Sequence, residues 1–421
     1  MGHIPGYQIK FYIMKQSANA PVKAALSEEA VHPFRFHVPQ ADLEDLHRRI
    51  LATKLPEKET VTDASQGVPL ATVEALAHYW GTTYDWRRAE ARLNSFPQFI
   101  TSIDGLDIHF IHVRSKHKNA LPIIITHGWP GSILHQLKLI EPLTNPATHG
   151  GNAPDAFDVV IPSIPGYGFS GKPTTAGWGP ERIGRAWITL MKRLGYKKFL
   201  AQGGDWGAIT TEIMAAQSPN DILGIHTNMP NAVPVEIDAA AFAGAPAPSG
   251  LCAEEREAYE RLSFTYKNVY YAYYMGSRPQ TLVGLTDSPV GLAAFMMDFD
   301  PRFRALVSRS FAGIDEGISP DDFLDNATLY WLTNTAVSAA RIYWENKSAF
   351  FQPKGVTVPV AVSVFPDEHF ELPRKWAEQA YPNLIYYNKV AKGGHFANWE
   401  QPALFTEELR AAFRSLRHYD E

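Results

Sequence analysis

Residues 203 to 207 read Gly203-Gly204-Asp205-Trp206-Gly207; an apolar run, Phe199-Leu200-Ala201, precedes them and a helix-like stretch follows. The pattern small-x-nucleophile-x-small suits a sharp strand-to-helix turn: flanking glycines avoid a Cβ clash, and the central side chain is thrust outward. A helix N-terminus at that point favours an anion. Taken alone, the pentapeptide reads equally as a glycine loop with Asp205 as a helix cap. Its distant neighbours change the balance. "THGWPGS", from Thr126 to Ser132, also follows an apolar run and has the form His-Gly-x-Pro. Such a loop is placed to offer the backbone N–H of Trp129, with the N–H of Trp206 as a second donor, to an oxyanion. His395 lies in "KGGHFANWEQP", after the last strand-like run, where a general base is expected. Between them, "SVFPDEHFELP" offers Asp367 and Glu368, one to orient the imidazole and the other a solvated surface carboxylate. The chemistry alone does not choose between the two acids.

An acid at the turn dictates an unusual reaction. A serine there would accept an acyl group from the substrate. Asp205 would itself supply the acyl group, and the substrate would contribute an alkyl carbon. The sequence therefore predicts displacement at saturated carbon, then hydrolysis of the resulting ester by water that His395 activates. Two leaving groups suit this scheme. A halide needs weak N–H donors, such as the indoles of Trp129 and Trp206. An epoxide oxygen leaves as a basic alkoxide and needs a proton donor, for which a phenol serves. Residues 231–349 are rich in candidates: Tyr266, Tyr270, Tyr271, Tyr273, Tyr274, Tyr330 and Tyr343. Composition does not pick among them.

These groups need elements to hold them. "LPIIIT", "FDVVIP" and "KKFLAQ" read as buried strands that end in glycine-rich loops, with the helix "RIGRAWITLMKRLGY" between the last two. Strand-like runs return at "VTVPVAVSVFP" and "NLIYYNKVA". Alternating apolar strands and helices predict an α/β fold with a mostly parallel, doubly wound sheet, and function gathers at the carboxyl ends of its strands. "FITSIDGLDIHFIHVRS" predicts a hairpin turning at Asp104-Gly105, with His109 and His112 as surface residues. "QADLEDLHRRILATKLP" and "LATVEALAHYWGTTYDWRRAEARL" predict helices. The expected division is an N-terminal extension over 1–100, core over 101–230, an inserted helical lid over 231–349, and core again over 350–421. Residues 1 to 30 are expected to be loose. The 421 residues carry 39 basic and 44 acidic side chains, a net charge of −5, which gives no reason to expect nucleic acid or an anionic membrane as partner. A single cysteine, Cys252, excludes an internal disulfide. No segment reads as a membrane span or signal peptide, so the expectation is a soluble, cytoplasmic protein. No cysteine–histidine cluster has zinc spacing, and neither metal nor organic cofactor is expected. Oligomeric state is not legible; a homodimer stays open.

"HGWPGS", "PGYGFSGKP", "GGDWG", "LYWLT" and "GGHFA" together resemble the microsomal-type epoxide hydrolases, a family that includes soluble fungal and bacterial members and insect juvenile-hormone epoxide hydrolases. The resemblance runs from about Val31 nearly to the end. It implies an α/β-hydrolase fold whose N-terminal meander wraps core and lid, and hydrolysis of a small hydrophobic epoxide to a vicinal diol. It implies Asp205 as nucleophile and His395 as base. It favours Glu368 over Asp367 through "FPx" and Pro373. It implies Tyr271, seven residues before Arg278-Pro279, and Tyr330, in "LYWLT", as the phenols that protonate the epoxide oxygen. Microsomal members carry an N-terminal membrane anchor that this chain does not show, so the soluble branch is the better comparison. The enzymatic rival is a haloalkane dehalogenase, which would keep Asp205 and His395 and ignore the tyrosines. The non-enzymatic rival, a binding protein on a retired scaffold, would show a broken triad, and every member is present.

Overall fold

A computed structural model describes residues 29–417. The expectation for residues 1 to 30 falls almost wholly outside them. Nine strands form one sheet: β1 (His32–Phe34), β2 (Gln98–Ile103), β3 (Leu106–Val113), β4 (Leu121–Thr126), β5 (Phe157–Pro162), β6 (Phe199–Gly203), β7 (Ile222–Thr227), β8 (Val360–Val364) and β9 (Leu384–Lys389). Their order is β1-β2-β3-β5-β4-β6-β7-β8-β9. From β5 to β9 every pairing is parallel; β1, β2, β3 and β5 pair antiparallel. The hairpin between β2 and β3 turns at Asp104 (φ 53°) and Gly105 (φ 75°). Both lie at positive φ, as a two-residue turn of this hand requires.

The central strands are apolar on both faces because helices cover both. In β4, Ile124 joins the core on one side of the sheet, while Ile123 and Ile125 join that on the other. Helices Pro180–Arg193 and Trp206–Gln217 bury Ile183, Trp187 and Ile209 on the first side. Helices Leu137–Thr144 and Pro402–Ala412 bury Leu139, Phe405 and Leu409 on the second. Between β7 and β8 the chain forms a succession of helices, from Val235–Phe242 to Ala336–Glu345. Among the described residues no helix is long and apolar enough to cross a membrane.

Two histidines depart from the surface placement expected of them. β3 lies inside the sheet, between β2 and β5, and the stretch Ile108–Ile111 is buried. His109 is fully buried, with its ring nitrogens 3.0 Å from Ser163 Oγ and from Gln98 Oε1. His112 is half-buried and hydrogen-bonds Tyr196.

The segment before β2 holds helices Gln40–Leu51, Leu70–Thr82 and Trp86–Leu93. It grips the helix Pro320–Leu332 through polar contacts. Tyr84 Oη donates to Asp325 Oδ1 (2.8 Å), Arg88 Nη2 donates to the same oxygen (3.1 Å), and Tyr79 Oη donates to Asp321 (3.1 Å). Burial pushes the Asp325 carboxyl up to about 6, against the hydrogen bond from Tyr84 and the charge of Arg88. Removing this carboxylate would leave the buried Tyr84 hydroxyl unpartnered, a loss of ~1–3 kcal/mol. Asp325→Ala is therefore expected to lower unfolding free energy by about 2 kcal/mol in a urea titration. An unchanged midpoint would show that the Asp325 carboxylate adds nothing net to the grip of the N-terminal helices.

Candidate active site

The turn after β6 is built as the glycines demand. Asp205 sits at φ 53°. This left-handed conformation costs an L-residue about 1–3 kcal/mol and persists only where the surroundings enforce it. Enforcement comes from close packing. A methyl on Gly207 would lie 2.0 Å from the carbonyl oxygen of Thr126, and one on Gly203 2.0 Å from that of Gly207. The Asp205 carboxylate is buried at the start of the helix Trp206–Gln217.

The loops named from the sequence converge on it. Trp129 N–H donates to Asp205 Oδ1 at 2.8 Å. His395 Nε2 lies 3.6 Å from Asp205 Oδ2, and His395 Nδ1 lies 2.7 Å from Glu368 Oε1. Both acid and imidazole are buried. Asp367, by contrast, is ion-paired at the exposed surface with Arg302. The structure thus brings Asp205, His395 and Glu368 together and leaves Asp367 outside.

The charges follow from that geometry. Burial raises the Asp205 pKa, while the His395 charge and the N–H groups of Trp129 and Trp206 oppose the rise. Burial would lower the His395 pKa, but the charge and hydrogen bond of Glu368, and then the charge of Asp205, carry it up to about 9. The Glu368 carboxyl is burdened by burial yet held below its ordinary value by His395. The imidazole of His395 thus stands between the carboxyl groups of Asp205 and Glu368. Glu368, His369 and His395 are the described residues whose donor atoms could converge on a metal, all within 4.8 Å, but Glu368 and His395 are already bonded to one another.

Across from Asp205 a cavity of about 650 Å³ opens under the lid, lined by Tyr271, Tyr343, Val269, Phe350, Phe351 and Phe242 among others. The Tyr271 ring stacks on the Trp129 indole (4.7 Å, 25°), and Tyr343 stands edge-on to Trp206 (4.7 Å, 89°). The tyrosines therefore pack on the two tryptophans whose backbones flank Asp205. Burial, and then Asp205 for Tyr271 or Tyr271 and Asp205 for Tyr343, raises both phenols well above the ordinary tyrosine range, so both are protonated.

Tyr330 is also buried, and burial, together with the Asp205 charge, raises its pKa well above the ordinary tyrosine range. Its hydroxyl donates to the Gly131 carbonyl at 2.7 Å, and Tyr330 does not line the large cavity. Tyr343 and Tyr167 are the tyrosines whose buried hydroxyls have no hydrogen-bond partner, and of the two Tyr343 lines the large cavity. Tyr330 instead holds the "HGWPGS" loop from the lid. Asn326, one turn earlier on the same helix, donates to the Pro130 carbonyl (2.7 Å) and accepts from Ser132 Oγ (2.7 Å). The sequence reading also passed over Glu400. Its carboxylate accepts from Gly394 N–H (3.1 Å) and Phe396 N–H (3.2 Å), bracketing His395 on both sides. The only signal was an acid five residues after the histidine. Arg261 of the lid likewise fixes the acid loop, donating to the carbonyls of Pro366 (2.9 Å) and Glu368 (2.5 Å).

Because Asp205 is one of the charges that raise the His395 pKa, neutralising it must lower that value. Asp205→Asn is expected to bring the imidazole titration, followed by NMR, clearly below about 9. A titration unmoved by the substitution would mean that Glu368 alone sets the proton affinity.

Comparison with known proteins places this geometry. Residues 31–136 match the family model described as epoxide hydrolase N terminus, and residues 122–402 that described as alpha/beta hydrolase fold. The chain is 50% identical to the "Putative epoxide hydrolase" of Stigmatella aurantiaca, over 92% of this chain and 86% of the relative. It is 33% identical to epoxide hydrolase 1 of Sus scrofa, over 92% and 89% of the two chains. The juvenile hormone epoxide hydrolase of the silkworm Bombyx mori superposes with a TM-score of 0.82 at 28% identity, covering 93% of this chain and 96% of that one. The Aspergillus niger epoxide hydrolase does so with 0.78 at 28%, covering 92% and 97%. A carboxylate on a strained turn, a paired histidine and a phenol-lined cavity thus sit on a scaffold shared along almost the whole chain, and the protein belongs to the epoxide hydrolases of the α/β-hydrolase fold.

Proposed function

We propose that this chain converts a hydrophobic epoxide to the vicinal diol in two displacements centred on Asp205. The observation that carries the reading is the division of the Asp205 carboxylate. Oδ1 is held by the Trp129 N–H, whereas Oδ2 lies 3.6 Å from the imidazole. Oδ2 attacks an epoxide carbon; the C–O bond of the ring breaks, and the departing oxygen takes a proton from Tyr271 or Tyr343. Tyr343 is taken as the second donor in this reading, in place of the Tyr330 expected from the resemblance, because it lines the large cavity while the Tyr330 hydroxyl is engaged with Gly131. Oδ1 becomes the ester carbonyl oxygen. Water then attacks the ester carbon and gives its proton to His395. The N–H groups of Trp129 and Trp206 stabilise the tetrahedral anion, which collapses to diol and free carboxylate. Glu368 holds the imidazole and balances its charge. The proton released restores the tyrosine, so the net reaction is epoxide plus water to diol.

The large cavity, about 650 Å³ with an aromatic wall, suits a hydrophobic substrate of drug size. A halide leaving group would have no use for two buried phenols. Single-turnover hydrolysis in heavy-oxygen water tests the covalent step. The first diol should carry no label, because that oxygen comes from Asp205; full label in the first turnover would mean direct attack by water. The donor assignment has its own test. Tyr343→Phe and Tyr271→Phe should each slow ester formation by roughly a hundredfold, the low end for a lost general acid. Tyr330→Phe should cost no more than about tenfold, through one lost loop contact. A larger loss at Tyr330 than at Tyr343 would restore the sequence-based choice.

A further inference from the structure

Behind Asp205, away from the lid, lies a second and much smaller cavity of about 30 Å³. Thr126, His127, Gly128, Gly131, Gln202, Asn228 and His395 help to line it, together with His135 and Gln136. Asp205 is the only residue common to this cavity and to the large one under the lid. The two differ in kind: the large cavity has an aromatic wall, whereas side chains able to hydrogen-bond dominate the small one. A single water needs at least about 10–15 Å³ of such volume, so there is room for about two.

Two polar atoms of the lining are left over. His135 Nε2 and Gln136 Oε1 are buried, and neither has a hydrogen-bond partner in the protein. Each such atom costs about 1–3 kcal/mol unless water satisfies it. Both side chains are fixed. His135 stacks on Trp399 (3.8 Å between ring centres, 17°) and meets Phe396 edge-on. Burial pushes its pKa well below the ordinary histidine value, and His395 adds to the shift, so it is a neutral imidazole close to the base. Nothing in the reaction as derived so far uses either residue.

We propose that this chamber is a resident water site that supplies the hydrolytic water, with Gln136 and His135 as positioning residues. The inference rests on the covalent reading of Asp205. Water held by Gln136 and His135 meets the ester carbon on the face of the ester plane turned towards the chamber. Its oxygen bonds to the carbon and one proton passes to His395 Nε2; the bond from that carbon to the substrate oxygen then breaks, the diol oxygen takes the proton back from His395, and the remaining proton, left on the new carboxylic acid, restores the tyrosine and frees the carboxylate. The front cavity can stay filled by the diol portion throughout, because water need not pass it.

The test separates the two half-reactions. Gln136→Leu keeps the size of the side chain and removes its polar end, and His135→Phe keeps the ring stack on Trp399. Rapid mixing with epoxide and intact-protein mass spectrometry reads ester formation and ester decay. Ester formation should be unchanged, decay should slow by at least about tenfold, and ester should accumulate; Gln136→Glu, which retains an acceptor oxygen, should recover part of the decay rate. Equal slowing of both steps would reduce these residues to a structural role and overturn the proposal, as would decay at the parent rate. The parent enzyme provides an independent reading in propan-2-ol, which fits the large cavity and not the small one. No isopropyl ester of Asp205 should form, and its appearance in proportion to the alcohol would mean that the nucleophile enters through the substrate cavity. Absence of any substrate ester in the parent enzyme would instead refute the covalent reading itself.

Discussion

The negative charge on Asp205 is the interaction on which the rest of the site depends. It is one of the influences that raise the proton affinity of His395, and it does the same to Tyr271 and Tyr343. In the proposed reaction the first step consumes that charge, because a carboxylate becomes a neutral ester. The tyrosines lose a source of proton affinity as the epoxide oxygen needs a proton. The imidazole loses one as it must become a base. A single neutralisation thus moves the acid and the base in the directions each half-reaction requires, without any motion of the protein. Glu368 sets the limit: it remains charged beside His395 and keeps the ring oriented after Asp205 has been silenced.

A buried carboxylate at positive φ survives only if its surroundings do not yield. The rigidity comes from far along the chain. The N-terminal helices hold Pro320–Leu332 through Tyr84, Arg88 and Asp325. That helix holds the loop of Trp129 through Asn326 and Tyr330, and the loop holds Asp205 through one N–H. The lid also reaches the opposite wall, where Arg261 ties down the loop of Glu368. The helices over the sheet are therefore more than a cover. They position the Trp129 N–H and the loop of Glu368, while Tyr271 and Tyr343 of the same layer line the cavity.

Much of this was legible because the strands advertise themselves. β4, β5, β6, β8 and β9 are apolar runs, and the hairpin of β2 and β3 carries its Asp-Gly turn. β7 escaped notice: "ILGIHT" is broken by a glycine and a histidine, and its burial comes from neighbours on both sides. β1, three residues long, has too few positions to show a period. Motif residues could be located because their chemistry requires neighbours a few positions away: glycines around Asp205, glycines before His395. The tyrosines were reachable only through the resemblance, Tyr271 by its distance from Arg278-Pro279 and Tyr330 by "LYWLT", since residue type alone does not separate Tyr330 from Tyr343. Tyr330 is buried and Tyr343 partly buried, each on a helix between β7 and β8, and the partner of each hydroxyl separates them. His109 misled for a similar reason. A histidine on a strand reads as polar and exposed, whereas here two side chains on other strands and loops satisfy it inside the sheet.

The placement of two unlike cavities follows from the choice of nucleophile. When a serine carries the acyl group, the leaving portion departs after the first step and water can take its place. When the enzyme supplies the acyl group, the whole substrate skeleton remains bound through the second step, on the same side as it entered. Space in front of the ester is then occupied by an apolar group at the moment water is needed. A site of this kind must admit its two reactants from different directions, and the partition between them must be the nucleophile itself. Asp205 is that partition here, with aromatic surface on the lid side and hydrogen-bonding side chains on the other. The strained turn that projects the carboxylate into the substrate cavity also leaves its rear face open to the chamber, so one backbone conformation serves both approaches.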